Sequence, residues 1–250
     1  MSLQACAEIV RRGDADRFLS AMAAAPADRA VLFPIYAFNV EVARAPWVTA
    51  EPMIAEMRLQ WWRDALAEIA AGGVIRSHEV VTELAHVLPR EMVPVLDALV
   101  VARRWDVYRE AFEDAGHFRE YLTATSGGLM RAAASALGAE DRPEFSHIGQ
   151  AQGLANFLRA VPRLVAAGRK PLYDDGAMLA DEAGQALVSL RRARRAVPAV
   201  ARPATRAAWL ADTVLTNAAR DPEAVIAGGL EPSEFSRRSG LLWRGLLRQA

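Results

Sequence analysis

The sequence predicts an all-α fold in which residues 1–250 form one domain. Apolar residues recur at helical spacing along almost the whole chain, and no alternating β-branched run bounded by turn residues interrupts them. Hydrophobic residues make up 52% of the 250 residues, which is enough to bury a substantial core. No internal repeat, low-complexity tract or clear interdomain linker divides the chain.

Each predicted helix follows a stretch of this periodicity, and its ends are placed to within about 2–4 residues. In the stretch 51–71, for example, Ile54, Met57, Trp61 and Ala65 recur on one helical face. The predicted helices are 3–12, 15–25, 27–45, 51–71, 77–88, 91–114, 117–137, 143–167, 176–197, 200–219 and 231–248.

Glycine and proline set the predicted helix ends. Pro26 and Pro143 suit the first turn of a helix, where a missing amide donor costs nothing. The glycines placed at C-terminal stops are Gly72, Gly73, Gly138, Gly168, Gly228 and Gly229. Pro34 and Pro162 instead fall inside helical patterns, where each removes a backbone hydrogen bond. Such interruptions either help to shape a pocket or only adjust the packing.

The charge balance excludes an electrostatic attraction of the whole chain to nucleic acid, so no nucleic-acid partner is expected. Thirty basic residues match thirty acidic ones. Lys170 is the only lysine, and the abundance of Ala and Arg is typical of a GC-rich bacterial genome. The run RRARR at 191–195 is either a solvated helix face or a contact for an anionic membrane surface or acidic partner.

A cytoplasmic location is expected. Cys6 is the only cysteine, which excludes an internal disulfide and a cysteine-based zinc site and fits a reducing compartment. The first residues carry Glu8, Asp14 and Asp16 and lack the apolar run of a signal peptide, and no stretch has the length of a membrane span. A peripheral contact at the inner face of the cytoplasmic membrane remains open.

Familiar catalytic and cofactor patterns are missing. His78, His86, His117 and His147 are not spaced to share a metal ion. Ser126 in TSGGLM lacks the strand–turn–helix setting of a nucleophile elbow, and GQAQG at 149–153 is not a dinucleotide fingerprint. The small residues in both segments instead predict close helix packing.

Four segments resemble the squalene/phytoene synthase family. They are PADRAVLFPIYAFNVEVAR (26–44), MRLQWWRDALAEI (57–69), YLTATSGGLMRAAASALG (121–138) and GQAQGLANFLRAVPRLVAAGRKPLY (149–173). The resemblance implies a single isoprenoid-synthase-type helical bundle around a central cavity. In that family, two aspartate-rich motifs on facing helices hold magnesium ions, which bind the diphosphates of two allylic substrates that are condensed head to head.

This chain departs from both family motifs at the aspartate positions. Ala43, Arg44 and Trp47 stand at those of the first motif, and Asn39 and Val40 replace the Cys-Arg pair that precedes it. Ala160 and Leu164 stand at those of the second motif. Magnesium needs several oxygen ligands at about 2.1 Å, so these residues predict neither a metal ligand nor a catalytic residue.

The departure favours a non-catalytic protein without a cofactor. The segment from 159 to 170 is basic, and arginine can bind phosphate without a metal bridge. We therefore expect a pocket for an isoprenoid diphosphate or a phospholipid, unless these arginines pair with acidic neighbours such as Glu56 or Asp64. The candidate pocket or anion-binding residues are Tyr36, Phe38, Asn39, Glu41, Arg58, Trp62, Tyr121, Asn156, Arg159, Arg163, Arg169 and Lys170.

Two further expectations come from the resemblance. The segments AFNVEVA (37–43), RLQWWRDALAEI (58–69) and SHIGQAQGLANFLRAVP (146–162) resemble a branch of the family that assists the assembly of mitochondrial respiratory complex I. That branch implies a complex I subunit or assembly intermediate as partner. The alternative is an active prenyltransferase of the phytoene or squalene synthase type, with magnesium at a relocated site.

Overall fold

The computed structural model describes residues 3–108, 110–169 and 176–230, and every regular element in these ranges is helical. The predicted all-α fold is therefore confirmed. The helices are α1 (Leu3–Gly13), α2 (Ala15–Met22), α3 (Pro26–Arg44), α4 (Pro52–Ala71), α5 (Val81–Val87), α6 (Val93–Ala102), α7 (Trp105–Tyr108), α8 (Ala115–Leu122), α9 (Gly128–Ala136), α10 (Pro143–Ala166), α11 (Gly176–Arg194), α12 (Arg202–Thr205), α13 (Ala211–Arg220) and α14 (Glu223–Ala227). The predicted helix 231–248 lies outside the described residues.

Short segments of other helical types connect these elements. Single 3-10 turns cover Ala45–Trp47, Arg90–Met92, Ala199–Ala201 and Arg206–Ala208. A π-helical segment, Thr123–Gly127, joins α8 to α9. A π-helical turn contains one more residue than an α-helical turn and occurs frequently at functional sites.

The prediction of one helix over 91–114 is wrong. The chain ends α6 at Ala102, forms one turn of α7 and starts α8 only after Asp114. Asp114 accepts a hydrogen bond from the backbone amide of His117 at 2.8 Å, which is an N-cap contact that starts a new helix. The Trp105 and Phe112 rings stack with centroids 3.8 Å apart, which holds the connection between the two helices.

The prediction of one helix over 200–219 is also wrong. α12 ends at Thr205 and α13 begins at Ala211, with a 3-10 turn between them. This turn is tied to the N-terminal part of the chain, since Arg206 donates a hydrogen bond to the Ala23 carbonyl at 3.1 Å. The Trp209 ring nitrogen donates to the Asp16 carbonyl at 3.3 Å. Tertiary hydrogen bonds therefore override the local helical pattern.

The core is built around two long helices, α3 and α10. α3 buries nearly every residue from Leu32 to Asn39, and α10 buries ten of its 24 residues. α3 packs against α1, α2, α5 and α9, whereas α10 packs against the π segment, α9, α11 and α13. Pro34 and Pro162 lie inside these two helices, as predicted. One hydrophobic cluster runs from α1 to Leu230, and the single-domain assignment of the whole chain stays a prediction.

Two glycines of α10 allow the π segment to approach it closely. A Cβ atom added at Gly149 would lie 2.3 Å from the carbonyl oxygen of Ser126, and one added at Gly153 would lie 2.5 Å from the Ser126 hydroxyl oxygen. The predicted close packing at TSGGLM and GQAQG is therefore confirmed. It places the π segment directly beside the middle of α10.

We expect the substitution Gly149→Ala to lower the free energy of unfolding by about 1–3 kcal/mol, because its methyl group would meet backbone atoms that cannot rotate away. Gly184→Ala in α11 is the matched control, since nothing lies within 4 Å of its added Cβ atom. The control should raise stability by about 0.5–1 kcal/mol through helix propensity. Chemical denaturation of both variants checks this, and an unchanged midpoint for Gly149→Ala would contradict the close approach.

Candidate functional site

A cavity of about 580 Å³ opens between α3 and α10. Its remaining walls come from the α1–α2 junction, the α6–α7 junction and the segment from α8 into the π turn. The described residues thus form a helical bundle around a central cavity, as the sequence analysis expects.

The α3 side and the α10 side contribute matching rows of side chains to this cavity. Asn39 and Ala43 line it at i, i+4 spacing on α3. Asn156, Ala160 and Leu164 line it at the same spacing on α10. The residues at the two motif positions therefore face one common cavity.

Arginine dominates the charge of the cavity wall. The charged lining residues are Asp14, Asp106, Arg17, Arg44, Arg103 and Arg163. Four positive charges against two negative charges leave an excess of two positive charges among these residues. Both carboxylates are paired, because Asp14 lies 2.7 Å from the Arg17 guanidinium and Asp106 lies 3.1 Å from that of Arg103.

Tyr121 holds one of these pairs in place on the cavity wall. Its hydroxyl group donates a hydrogen bond to Asp106 Oδ2 at 2.9 Å and accepts one from Arg103 Nη1 at 2.5 Å. Burial raises the pKa of Tyr121, so the side chain stays a neutral phenol that can donate to the carboxylate. The Arg103 Nε atom is buried and has no hydrogen-bond partner in the described part of the chain.

Arg17 is the second paired arginine of the wall, and only 5% of it is exposed. Asp14 caps α2 by accepting a hydrogen bond from the Arg17 amide at 2.9 Å and also binds its guanidinium group. The guanidinium carbon lies 5.2 Å from the centre of the Tyr36 ring. Asp14 therefore fixes both the start of α2 and the direction of Arg17.

Comparison with known proteins identifies the family. Residues 10–175 match the family model described as squalene/phytoene synthase. The chain belongs to the squalene/phytoene synthase family. The predicted family membership is confirmed.

Solved structures of the squalene/phytoene synthase type share the fold. A dehydrosqualene synthase in complex with ligand superposes with a TM-score of 0.66 at 15% identity, over 98% of this chain and 96% of that one. Squalene synthase HpnC from Alicyclobacillus acidocaldarius gives a TM-score of 0.67 at 18% identity, over 95% and 94%. At these identities the likeness establishes the fold alone.

Curated relatives carry a different name. The Drosophila melanogaster NADH dehydrogenase (ubiquinone) complex I, assembly factor 6 homolog is 31% identical over 166 residues, which cover 63% of this chain and 50% of that protein. The Homo sapiens NADH dehydrogenase (ubiquinone) complex I, assembly factor 6 is 28% identical over 163 residues, or 63% and 48%. The chain thus spans about half the length of the curated relatives it matches.

The predicted site residues of this squalene/phytoene synthase family member fall into three places. Asn39, Tyr121, Asn156 and Arg163 line the central cavity. Tyr36 and Phe38 lie in the hydrophobic core and do not line the cavity; Tyr36 is 1% exposed and Phe38 is 0% exposed. Glu41, Arg58 and Trp62 line a separate groove of about 630 Å³ beside α4.

Arg159 and Arg169 make contacts beside the cavity. Arg159 pairs with Asp16 at 2.9 Å. The alternative that the arginine pairs with an acidic residue therefore holds for Arg159, but its partner is neither of the two carboxylates named. Glu56 pairs with Arg104 at 2.7 Å, and Asp64 accepts a hydrogen bond from Gln60 at 2.7 Å.

Arg169 is 8% exposed, and its guanidinium carbon lies 4.0 Å from the centre of the Trp47 ring. Trp47 itself lines the cavity, so this stacking places the Arg169 guanidinium group against one residue of the wall. Lys170 lies outside the described residues.

The cationic run at 191–195 is partly structural. Arg191 pairs with Asp212 of α13 at 3.3 Å, and Arg194 pairs with the same carboxylate. Arg192 and Arg195 are exposed. Two of the four arginines therefore connect α11 to α13.

Sequence reasoning missed the two paired arginines of the wall, Arg17 and Arg103. Each stands three residues from its carboxylate, Asp14 or Asp106, which is a local signal that many surface helices share. Their convergence on one cavity depends on the tertiary fold.

The donor set of the cavity does not fit a magnesium–diphosphate complex. Among the described residues, the carboxylates that line the cavity are Asp14 and Asp106, which stand on different elements and are each bound to an arginine. No cluster of three or more His, Cys, Asp or Glu side chains suited to a metal ion occurs within residues 3–108, 110–169 and 176–230. Magnesium prefers several free carboxylate or water oxygens in an octahedral arrangement, which these arginine-bound groups do not offer.

Across residues 3–108, 110–169 and 176–230, no helix has both the length and the hydropathy required to span a bilayer.

The Tyr121 network can be tested by substitution. We expect Tyr121→Phe to lower the free energy of unfolding by about 1–2 kcal/mol, because the buried Asp106 and Arg103 groups each lose a hydrogen bond. Tyr108→Phe is the control, since Tyr108 is 55% exposed and the change should stay within about 0.5 kcal/mol. Equal effects of the two substitutions in urea denaturation would show that the network contributes no stability.

Proposed function

We propose that this protein is a non-catalytic member of the squalene/phytoene synthase family. In this proposal the central cavity binds the phosphate group of a prenyl or lipid molecule, and the protein acts in respiratory complex I assembly. The observation that carries the proposal is the composition of the cavity wall. Ala43, Arg44 and Trp47 on one side face Ala160 and Leu164 on the other, and the wall has an excess of arginine.

The electrostatics of the wall argue against metal-assisted ionisation of a diphosphate. A magnesium ion lowers the barrier by neutralising the charge that develops on the leaving group, and it needs free carboxylates to hold it there. An excess of two positive charges repels a divalent cation. The same excess attracts an anion directly.

Two arginines are suited to bind that anion. Arg44 has 65% of its side chain exposed and lies 3.9 Å from Glu41, which is a loose contact. Arg163 is exposed and forms no ion pair with any described residue. A guanidinium group can donate two parallel hydrogen bonds to a phosphate without a metal bridge. The amides of Asn39 and Asn156 add neutral donors on the same wall.

The rest of the wall suits an apolar chain. Val40, Phe157 and Leu164 line the cavity beside the arginines. A largely apolar wall with a few convergent polar groups is the usual composition of a small-molecule site. An amphiphile with an anionic head fits this distribution better than a fully polar ligand does.

The assembly role is supported by the names of the curated relatives. Both are called complex I assembly factor 6, and each matches this chain over about half of its own length. We carry the role over as a proposal, with a complex I subunit or an assembly intermediate as the partner.

Ligand binding is tested by thermal-shift titration with farnesyl diphosphate and farnesyl monophosphate, each in EDTA and in magnesium. We expect the same stabilisation in both conditions. Arg163→Ala should weaken binding about 10- to 150-fold, because it removes a charged hydrogen bond worth about 1.5–3 kcal/mol. Arg192→Ala, at an exposed arginine of α11, should leave binding unchanged. Stabilisation that requires magnesium, or none in either condition, would refute a metal-free site.

Turnover is tested by product analysis after incubation with farnesyl or geranylgeranyl diphosphate and magnesium. We expect no precursor-dependent C30 or C40 product, since the residues that the structure describes offer no carboxylate cluster to hold the ions. Such a product would establish the alternative, an active phytoene or squalene synthase type of prenyltransferase.

The assembly role is tested by gene deletion followed by native-gel measurement of complex I. We expect lower complex I levels that the wild-type gene restores. Complementation with Arg163→Ala then shows whether assembly requires the cavity. Normal complex I levels in the deletion strain would remove the assembly role and leave ligand binding to be judged separately.

A further inference from the structure

Large apolar side chains are exposed in a cluster where α3 passes into α4. We call this cluster the corner surface and define it by Trp47, Val48, Met53, Ile54 and Met57. Of the fifteen large hydrophobic side chains that are exposed in the described residues, these five lie within one stretch of eleven. Met53 is 75% exposed and Met57 is 66% exposed, so the cluster is open to solvent over much of its area.

The corner surface extends over neighbouring elements. α7 contacts both α4 and the 3-10 turn at Ala45–Trp47, and its Tyr108 is 55% exposed. The groove of about 630 Å³ runs between the turn and α4 and is walled in part by Val48, Ile54 and Met57. The exposed apolar side chains therefore border a groove that also carries the charged residues Glu41, Arg44 and Arg58.

Packing of α4 does not explain these residues. The buried face of α4 consists of Ala55, Leu59, Trp62, Ala65, Leu66 and Ile69. Further along the helix, Gln60 and Asp64 give the outward face the polar character expected of a surface helix. Only the first turns of α4 are apolar on the outward side as well.

Charges around the corner surface slightly favour an anionic partner. The charged groups on or beside it are Arg44, Arg58, Arg104, Arg163, Arg169, Glu41, Glu51, Glu56 and Glu110. Five positive and four negative charges leave an excess of one positive charge. Arg58 is exposed and forms no ion pair with any residue that the structure describes, whereas Glu56 is neutralised by Arg104 at 2.7 Å.

We propose that the corner surface inserts into the boundary between headgroups and acyl chains of a phospholipid bilayer that contains anionic lipid. Methionine and isoleucine side chains supply the apolar contact, and tryptophan and tyrosine suit the boundary because each combines an apolar ring with a polar group. Arg44 and Arg58 have long apolar stems and place their charges at the level of the phosphates. Apolar insertion provides most of the binding, and anionic lipid strengthens it.

The choice of a bilayer as the occupant rests on the proposed function. A lipid phosphate reaches a protein from a bilayer, because its chains are poorly soluble in water. Trp47 belongs to the corner surface and lines the central cavity, and Arg44 lines both the cavity and the groove. A lipid can therefore pass from the bilayer into the cavity along these two residues.

The test is flotation of the full chain with vesicles of phosphatidylcholine, with and without phosphatidylglycerol. We expect binding to both, with stronger binding when phosphatidylglycerol is present. The double variant Met53→Ser/Met57→Ser should lower the partition coefficient about tenfold or more, because two inserted side chains are lost. The double variant Val188→Ser/Ile226→Ser is the matched control, since both side chains are 69% exposed on other helices.

Two outcomes would overturn the bilayer proposal. One is wild-type protein that does not float with either kind of vesicle, which would leave the corner surface to a protein partner. The other is equal loss in the corner and control variants. Thermal unfolding of each variant confirms that it is folded. Titration with farnesyl monophosphate without vesicles distinguishes failure of the bilayer proposal from failure of the proposed cavity site. The variant Met53→Ser/Met57→Ser should bind this ligand as the wild type does, whereas Arg163→Ala should bind it more weakly.

Discussion

The close approach of α10 to the π segment is the contact on which the geometry of the cavity depends. Gly149 lets the backbone at Ser126 lie against the middle of α10, and Gly153 leaves room there for the Ser126 side chain. This contact holds α10 at one wall, and the residues that follow Gly153 at intervals of three and four then point across to α3. The π turn also places Thr125 and Ser126 on the wall of the same cavity. A small change in this contact would therefore move every residue that faces α3.

The charged side chains that can bind a ligand in the cavity are those that are not already held in close ion pairs. The two carboxylates on the wall are bound to arginines, and Tyr121 donates a further hydrogen bond to one of them. The negative charges of these carboxylates are thus neutralised by arginines of the wall. Arg44 and Arg163, on opposite walls, are exposed and can contact a ligand. The fold of this family alone does not determine whether the protein is an enzyme.

Much of the fold could be predicted from the sequence, because long amphipathic helices and proline at their first turns are local signals. α3, α4 and α10 begin and end within about two residues of their predicted limits. The break between α6 and α8 could not be predicted from periodicity, because it depends on the capping of α8 by Asp114 and on the stacking of Trp105 with Phe112.

The candidate site shows the same division between local and tertiary signals. The sequence predicts Asn39 and Asn156 from motif positions and Arg163 from the basic segment 159–170, and all three line the cavity. The partner of Arg159 is Asp16, which is 143 positions away in the chain, so no local pattern could have selected it over Glu56 or Asp64. Arg17 and Arg103 reach the wall only because α2 and the α6–α7 junction pack around it.

A crystal structure of the protein with farnesyl monophosphate, grown in the presence of magnesium, tests whether the cavity binds a phosphate group without a metal ion. We expect the phosphate oxygens to lie within hydrogen-bond distance of Arg44 and Arg163, with no metal ion between protein and ligand. The prenyl chain should lie along Val40, Phe157 and Leu164. A phosphate held to carboxylates through magnesium ions would contradict the account and return the protein to the catalytic members of its family.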